Sequence, residues 1–112
     1  MMIQRLLNAT EVATGIKPLP SIIKGDRGIA YEWKVMSDDG QVATASYQVR
    51  VISRDKMEIE NINQKIKKAL IAFGDGSPVP GVTSAFINGQ SSLPIGELNQ
   101  SITNYQIKYR SE

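Results

Sequence analysis

The sequence contains no cysteine and no histidine. The first absence rules out a disulfide framework and a thiolate metal site. The second removes the commonest general base and the commonest metal ligand. An excess of charge is also missing. The 13 Lys and Arg are scattered among 11 Asp and Glu, leaving a net +2 and no basic stripe of the kind a dedicated nucleic-acid binder carries. No stretch approaches the roughly 18 consecutive apolar residues of a membrane span. The opening MMIQRLLNATEVATG is too short in its apolar run and too mixed for a signal peptide. There is no solenoid-length repeat and no low-complexity tract.

What is present is an ordinary globular composition. With 41% apolar and 21% charged residues, the chain has enough hydrophobic material to fold, and 112 residues suit one domain rather than two. We expect a single domain over residues 1–112.

The strongest signal is SYQVRVISRDKMEIENINQKIKKALIAF, residues 46–73. Its first third alternates as a strand does, and the remainder repeats at helical spacing. Ala43, Ala45, Tyr47, Val49 and Val51 share one face of a strand over residues 42–52, opposite Thr44, Ser46, Gln48, Arg50 and Ile52. Asp55 then offers an N-cap, with Glu58 three residues on as in a capping box. A helix follows over residues 55–73, with the stripe Met57, Ile59, Ile62, Ile66, Ala69, Leu70 and Phe73 and Gly74 as its stop.

Around this corner the other elements fall into place. Ile3, Leu6, Leu7 and Thr10 share a helical face ahead of Gly15, predicting a first helix over residues 1–14. Pro18 and Pro20 block its continuation, and residues 21–24 read as a short strand before the turn GDRG. Ile29, Tyr31, Trp33 and Val35 alternate along another strand, and SDDG at residues 37–40 reads as a hairpin turn. After the loop GDGSPVPG, a strand is expected over residues 82–88, an irregular connection over 89–100 and a last strand over 102–109. The order αβββαββ reads as an α+β fold, with helices on a mostly antiparallel sheet. The pentapeptides YQVRV (47–51) and YQIKY (105–109) share a pattern, as neighbouring strands with one buried face would.

Candidate chemistry is thin. Asp38 and Asp39 form a carboxylate pair, but DDGQVATASY lacks the alternating ligands and distal Glu of a calcium loop, so a turn is the better reading. GDGSPVPG lacks the Lys-Ser/Thr end of a phosphate-binding loop. Trp33 and the tyrosines are candidates for a nucleic-acid stacking platform, against which stands their placement on alternating, core-forming faces. No spacing singles out a Ser–Lys pair for nucleophilic catalysis. The expectation is a non-enzymatic protein that needs neither cofactor nor metal.

The run YQVRVISRD, passing at once into the acid-capped helix MEIENINQKIKKAL and then to a Gly/Pro loop and two further strands, resembles the tail-terminator and tail-completion (head–tail joining) proteins of long-tailed bacteriophages. The likeness covers most of the chain as an order of elements and residues 47–70 as a motif. It implies a structural protein of the virion, assembled in the host cytoplasm and placed at the head–tail junction. Such proteins form a ring, usually a hexamer, that ends tail-tube polymerisation. The implied partners are further copies of the chain, the major tail tube protein and the head-closure or connector protein. DNA would pass through the pore without specific binding, and no membrane is involved. A head-closure role in the same neck is the alternative, and a small nucleic-acid-binding module a more distant one. Contacts between copies are expected in residues 24–28, 37–41, 74–81 and 89–100, with Asp26, Arg27, Asp38 and Asp39 as charges able to pair between neighbours.

Overall fold

The computed structural model describes residues 1–20, 25–72, 74 and 76–111. The elements run α1 (Met2–Thr14), β1 (Leu19–Pro20), β2 (Gly28–Asp38), β3 (Val42–Ser53), α2 (Lys56–Leu70), β4 (Val82–Ile95) and β5 (Leu98–Arg110). This is the α+β order expected from the sequence. The strands form one sheet in the order β1-β2-β3-β5-β4. Every pairing is antiparallel except the short β1–β2 contact. The strand expected over residues 21–24 lies outside the described residues.

The two central strands carry the core. In β3 the five residues Ala43, Ala45, Tyr47, Val49 and Val51 are all buried, as their alternation predicts. In β5 the matching face is Ser101, Thr103, Tyr105, Ile107 and Tyr109. YQVRV and YQIKY are indeed neighbours, with Tyr47 directly opposite Tyr105 and ring centroids 6.5 Å apart. Trp33 and Tyr31 on β2 lean onto Tyr47 at 6.5 and 6.4 Å, and Trp33 also meets Tyr109 at 5.9 Å. Tilted and edge contacts of this sort add about 0.5–1.5 kcal/mol each beyond burial.

Both helices cover this aromatic face. In α1, Met2, Leu6 and Thr10 are buried at the i, i+4 spacing that stacks side chains on one side of a helix. The Thr10 hydroxyl donates to the Leu6 carbonyl at 2.8 Å, so its one proton is used, and the Tyr47 hydroxyl, 2.9 Å away, is the donor to Thr10 Oγ1. Gly15 closes the helix in the left-handed region at φ 73°, with its N–H on Glu11 O. In α2 the buried stripe is Ile59, Ile62, Ile66 and Leu70.

Three expectations need correction. Met57 does not belong to the α2 stripe: it is 71% exposed, because two residues of helix, about 200°, turn it away from Ile59. The helix ends at Leu70 rather than at Gly74, since Ile71 adopts extended angles while its N–H still caps Lys67 O at 2.8 Å. Phe73 lies outside the described residues. Finally, residues 89–100 are not an irregular connection. β4 continues to Ile95, turns through Gly96 and Glu97, and returns as β5 from Leu98. Polar composition hid this strand. Its backbone is held because β5 residues 99–101 are themselves clamped by β3 residues 51–53, and Pro94 is tolerated because β4 is an edge.

Candidate assembly surface

The strand-to-helix corner is organised by Ser53, which is buried. Its hydroxyl donates to Glu58 Oε1 at 2.9 Å and accepts the Asp55 N–H at 3.1 Å. Asp55 Oδ1 accepts from Met57 N at 2.9 Å. The reciprocal Glu58-to-Asp55 bond of a capping box is therefore replaced by a relay through Ser53. Glu58 Oε1 also takes Arg27 Nε at 2.8 Å. Beside it, Arg54 pairs with Asp26 at 3.0 Å and approaches Glu97 at 3.7 Å, while Asn99 Nδ2 donates to the Arg54 carbonyl. One end of the molecule is thus a mesh joining the turn before β2, the corner and the β4–β5 turn. These pairs are exposed or half-exposed, so each contributes at most about 1 kcal/mol.

Asp38 and Asp39 occupy the opposite end. Asp38 Oδ1 accepts from Gly40 N at 2.9 Å and from Ser111 Oγ at 2.7 Å. Asp39 Oδ1 accepts from Val42 N at 2.7 Å and Gln41 N at 2.8 Å, and those backbone donors, Val42 first, hold its carboxyl below the usual aspartate range. The 11-residue β2 lies between the two pairs, a separation of about 35 Å at 3.2–3.4 Å per residue. Within one chain Asp26 and Arg27 are brought to Arg54 and Glu58, Asp38 and Asp39 serve their own turn, and the two ends do not meet.

The face of the sheet away from the helices is polar and uncovered. Ser46, Gln48 and Arg50 of β3 and Asn104, Gln106 and Lys108 of β5 lie on it. Arg50 Nη2 approaches Glu32 Oε1 at 3.5 Å, and Asn88 Nδ2 donates to Gln106 Oε1 at 3.4 Å. Among the described residues, Phe86, half-buried opposite Gln106, is the aromatic side chain on this face. Tyr47, Tyr105 and Tyr109 are buried beneath the helices, and burial pushes the Tyr47 hydroxyl up to about 12 and the Tyr105 hydroxyl higher still.

On the helix side, a groove of about 480 Å³ lies between α2 and the far half of the β4–β5 hairpin. Lys56, Ile59, Glu60 and Asn63 form one wall, Gln90–Pro94 the other, and Gln100 and Ser101 are also part of the lining. Asn63 Nδ2 donates to Ser101 Oγ at 2.8 Å. The lining is mostly amide, hydroxyl and aliphatic, with Lys56 and Glu60 as its charged groups. Among the described residues no three His, Cys, Asp or Glu gather where a metal ion would be held.

The feature that sequence reading missed is the continuation of the edge strand β4 beyond the expected residues 82–88, to Ile95. The strand's 14 residues, VTSAFINGQSSLPI, include no charge, and residues 90–95 are all exposed. Register shifts at Thr83 and Asn88 break its alternation, which is why period two fails to reveal it. Its lack of any charged residue was the readable signal.

No protein-family profile matches the chain, and no curated protein matches its sequence. The fold is similar to that of a chain in the virion of a native gene transfer agent particle, with TM-score 0.67 and 11% identity. The match covers 98% of this chain and 92% of that one. At this identity the likeness is one of fold.

Proposed function

We propose that the protein is a structural component of a phage-type virion, a single-domain tail terminator that forms a ring, a hexamer by resemblance, on the head-proximal end of the tail tube. The observation that carries this reading is the fold likeness to a chain of the gene transfer agent virion, which spans nearly the whole of both chains. Two features support it. The charged ends are built of exposed ion pairs and turn hydrogen bonds, which suit contact with neighbours. Among the described residues the sheet has helices on one face only, so its polar face and the edge at β4 remain for neighbours. In this reading the tube protein and the head-closure protein dock on the two ends of the ring, and DNA passes its pore without a specific grip.

Removal of the protein from an assembling phage tests the role. Loss of a terminator gives tubes of uncontrolled length and heads without tails. Loss of a head-closure protein instead gives tails of normal length that stay unjoined. Normal, infectious particles lacking the protein refute both neck roles.

A further inference from the structure

The far half of β4 is an open edge. Residues 90–95 are all exposed, and the strand has no neighbour beyond β5 among the described residues. The residues that bracket 21–24, 73, 75 and 112 lie elsewhere. Pro20 pairs beside Tyr31 of β2, and Gly25 comes three residues before Gly28, where β2 begins, with β3 and β5 between β2 and β4. Ala72, Gly74 and Gly76 precede Val82, and from Val82 to Gly89 is about 23 Å of strand. Ser111 is held on Gln41 at the acidic-turn end.

An uncovered edge is a template for pairing with another chain, and charges commonly blunt it. Residues 89–95, GQSSLPI, carry none, so the like-charge repulsion that pairing of copies otherwise risks is absent. The side chains divide by face. Through their pairing with Thr103 and Ser101, Gln90 and Ser92 stand on the helix side, beside the groove. Ser91, Leu93 and Ile95 stand on the other face, with Ile102, Gln100 and Leu98. Leu93 and Ile95 are 44% and 45% exposed. A strand added to this edge has to be polar toward the helices and aliphatic away from them, and β4 itself has that division.

We infer that β4 of one copy pairs antiparallel with β4 of a second copy over residues 89–95, about a two-fold axis at Ser92. Such an axis stands perpendicular to the sheet, so the helices of both copies stay on one side. It sets Gly89 opposite Ile95, Gln90 opposite Pro94 and Ser91 opposite Leu93. The bulge at Asn88 and the turn at Gly96 and Glu97 end the pairing, and Ser92 is the middle of what remains. A proline in an edge strand turns its nitrogen to the open side, and by alternation Ser92 and Gln90 present their N–H outward with it. The two Ser92 residues exchange a pair of backbone hydrogen bonds. Each Gln90 N–H donates to the Pro94 carbonyl of the second copy, so the proline is asked only to accept. On the other face the two Leu93 side chains come within diagonal reach. The inference goes beyond the ring reading and does not rest on it. A two-fold contact is closed by two copies, so it describes association of the free chain in pairs. A seam of seven residues is smaller than the ~1,200–2,000 Å² of a stable interface, so the dimer is weak and concentration-dependent.

The absence of cysteine makes the test clean. Ser91→Cys and Leu93→Cys proteins are mixed and oxidised, with Met57→Cys, at a position 71% exposed on α2, as the control. Ser91 and Leu93 form a pair without mutual hydrogen bonds, where side chains are closest. The mixture should give covalent dimers about tenfold faster than the control, because docking raises the effective concentration. A second arm places charge on the axis. Ser92→Glu and Ser92→Lys should each be monomeric in sedimentation at concentrations where the wild-type chain is largely dimeric, with unchanged circular dichroism, and mixing the two should restore the dimer. Ser91→Cys or Leu93→Cys linking to itself faster than to the other overturns the two-fold at Ser92. Dimers that persist in Ser92→Glu alone overturn it by placing the contact elsewhere. A wild-type chain that stays monomeric to its solubility limit, with mixed cross-linking no faster than the control, overturns the pairing altogether.

Discussion

At the residue scale, stability is concentrated in a few side chains whose neighbours cannot rearrange. Ile66 is fully buried in α2, and Ile66→Ala should cost about 2–5 kcal/mol, read as a shift of the urea midpoint at unchanged slope. Gly81 sits at φ +87°, and a Cβ there would stand 2.6 Å from Arg5 Nη1 and 3.2 Å from Met2 Cε. Gly81→Ala should therefore lose about 1–2 kcal/mol from the left-handed backbone alone, visible as a lower thermal midpoint. Tyr47 gives a pH signature. Its hydroxyl is raised from 10.0 to about 12 by burial. Between those values the unfolded chain releases the proton and the folded chain keeps it, so stability is intact below pH 10 and falls as pH rises toward 12. Two retained pH units correspond to about 3 kcal/mol. Urea titrations at stepped alkaline pH should show this loss, and Tyr47→Phe should flatten part of it. A pH-independent midpoint up to pH 12 would contradict the burial assigned to that hydroxyl.

At the scale of elements, the corner between β3 and α2 was legible because each level of the sequence agreed there. The alternation of residues 43–51 and the 3, 4, 4 spacing of Ile59, Ile62, Ile66 and Leu70 both describe one-sided burial, and the burial is observed. Three things were not legible. Met57 looked apolar enough for the stripe, but side-chain type says nothing about angle. The relay through Ser53 replaced a capping box because a buried hydroxyl two residues before Asp55 competes for its N–H; this requires tertiary placement to see. The far half of the β4–β5 hairpin looked like loop because polar residues occupy both faces of an edge strand that α2 does not cover. Asp26 and Arg27 were recognisable as turn residues, yet their partners Arg54 and Glu58 lie 28 and 31 residues away in sequence. Ser53→Ala should expose how much the relay matters. It leaves the Asp55 N–H without its acceptor and should cost about 1–3 kcal/mol, with faster amide exchange at the first turn of α2 than at its centre.

At the scale of the whole molecule, the charged mesh and the acidic turn lie at opposite ends of an object 45 Å long. Charge reversal at Arg27 breaks its pair with Glu58, and reversal at Asp39 removes an acceptor for two backbone N–H groups. Each should leave the circular dichroism spectrum unchanged. If the ends are the docking surfaces, Arg27→Glu and Asp39→Lys should produce different assembly defects, one at the tube side and one at the head side, scored by electron microscopy of particles. Normal particles from both variants would exclude these ends as contacts.

The loop at Pro80 and Gly81 has a practical corollary. The Arg5 guanidinium donates to the Pro80 carbonyl at 3.2 Å, and the Arg110 N–H lies 3.4 Å from the Gly81 carbonyl. The Ser111 N–H reaches Gln41 O at 2.9 Å. The start of α1 and the end of β5 are thereby gathered at the end that carries the acidic turn, far from the Gly96–Glu97 turn. If the chain assembles as the ring proposed above with its long axis along the ring axis, a bulky label fused to either terminus would emerge on one rim and leave the other bare. Decoration of a single rim, seen in micrographs of labelled particles, would orient every subunit along the axis of the particle, with one fusion standing in for a full reconstruction.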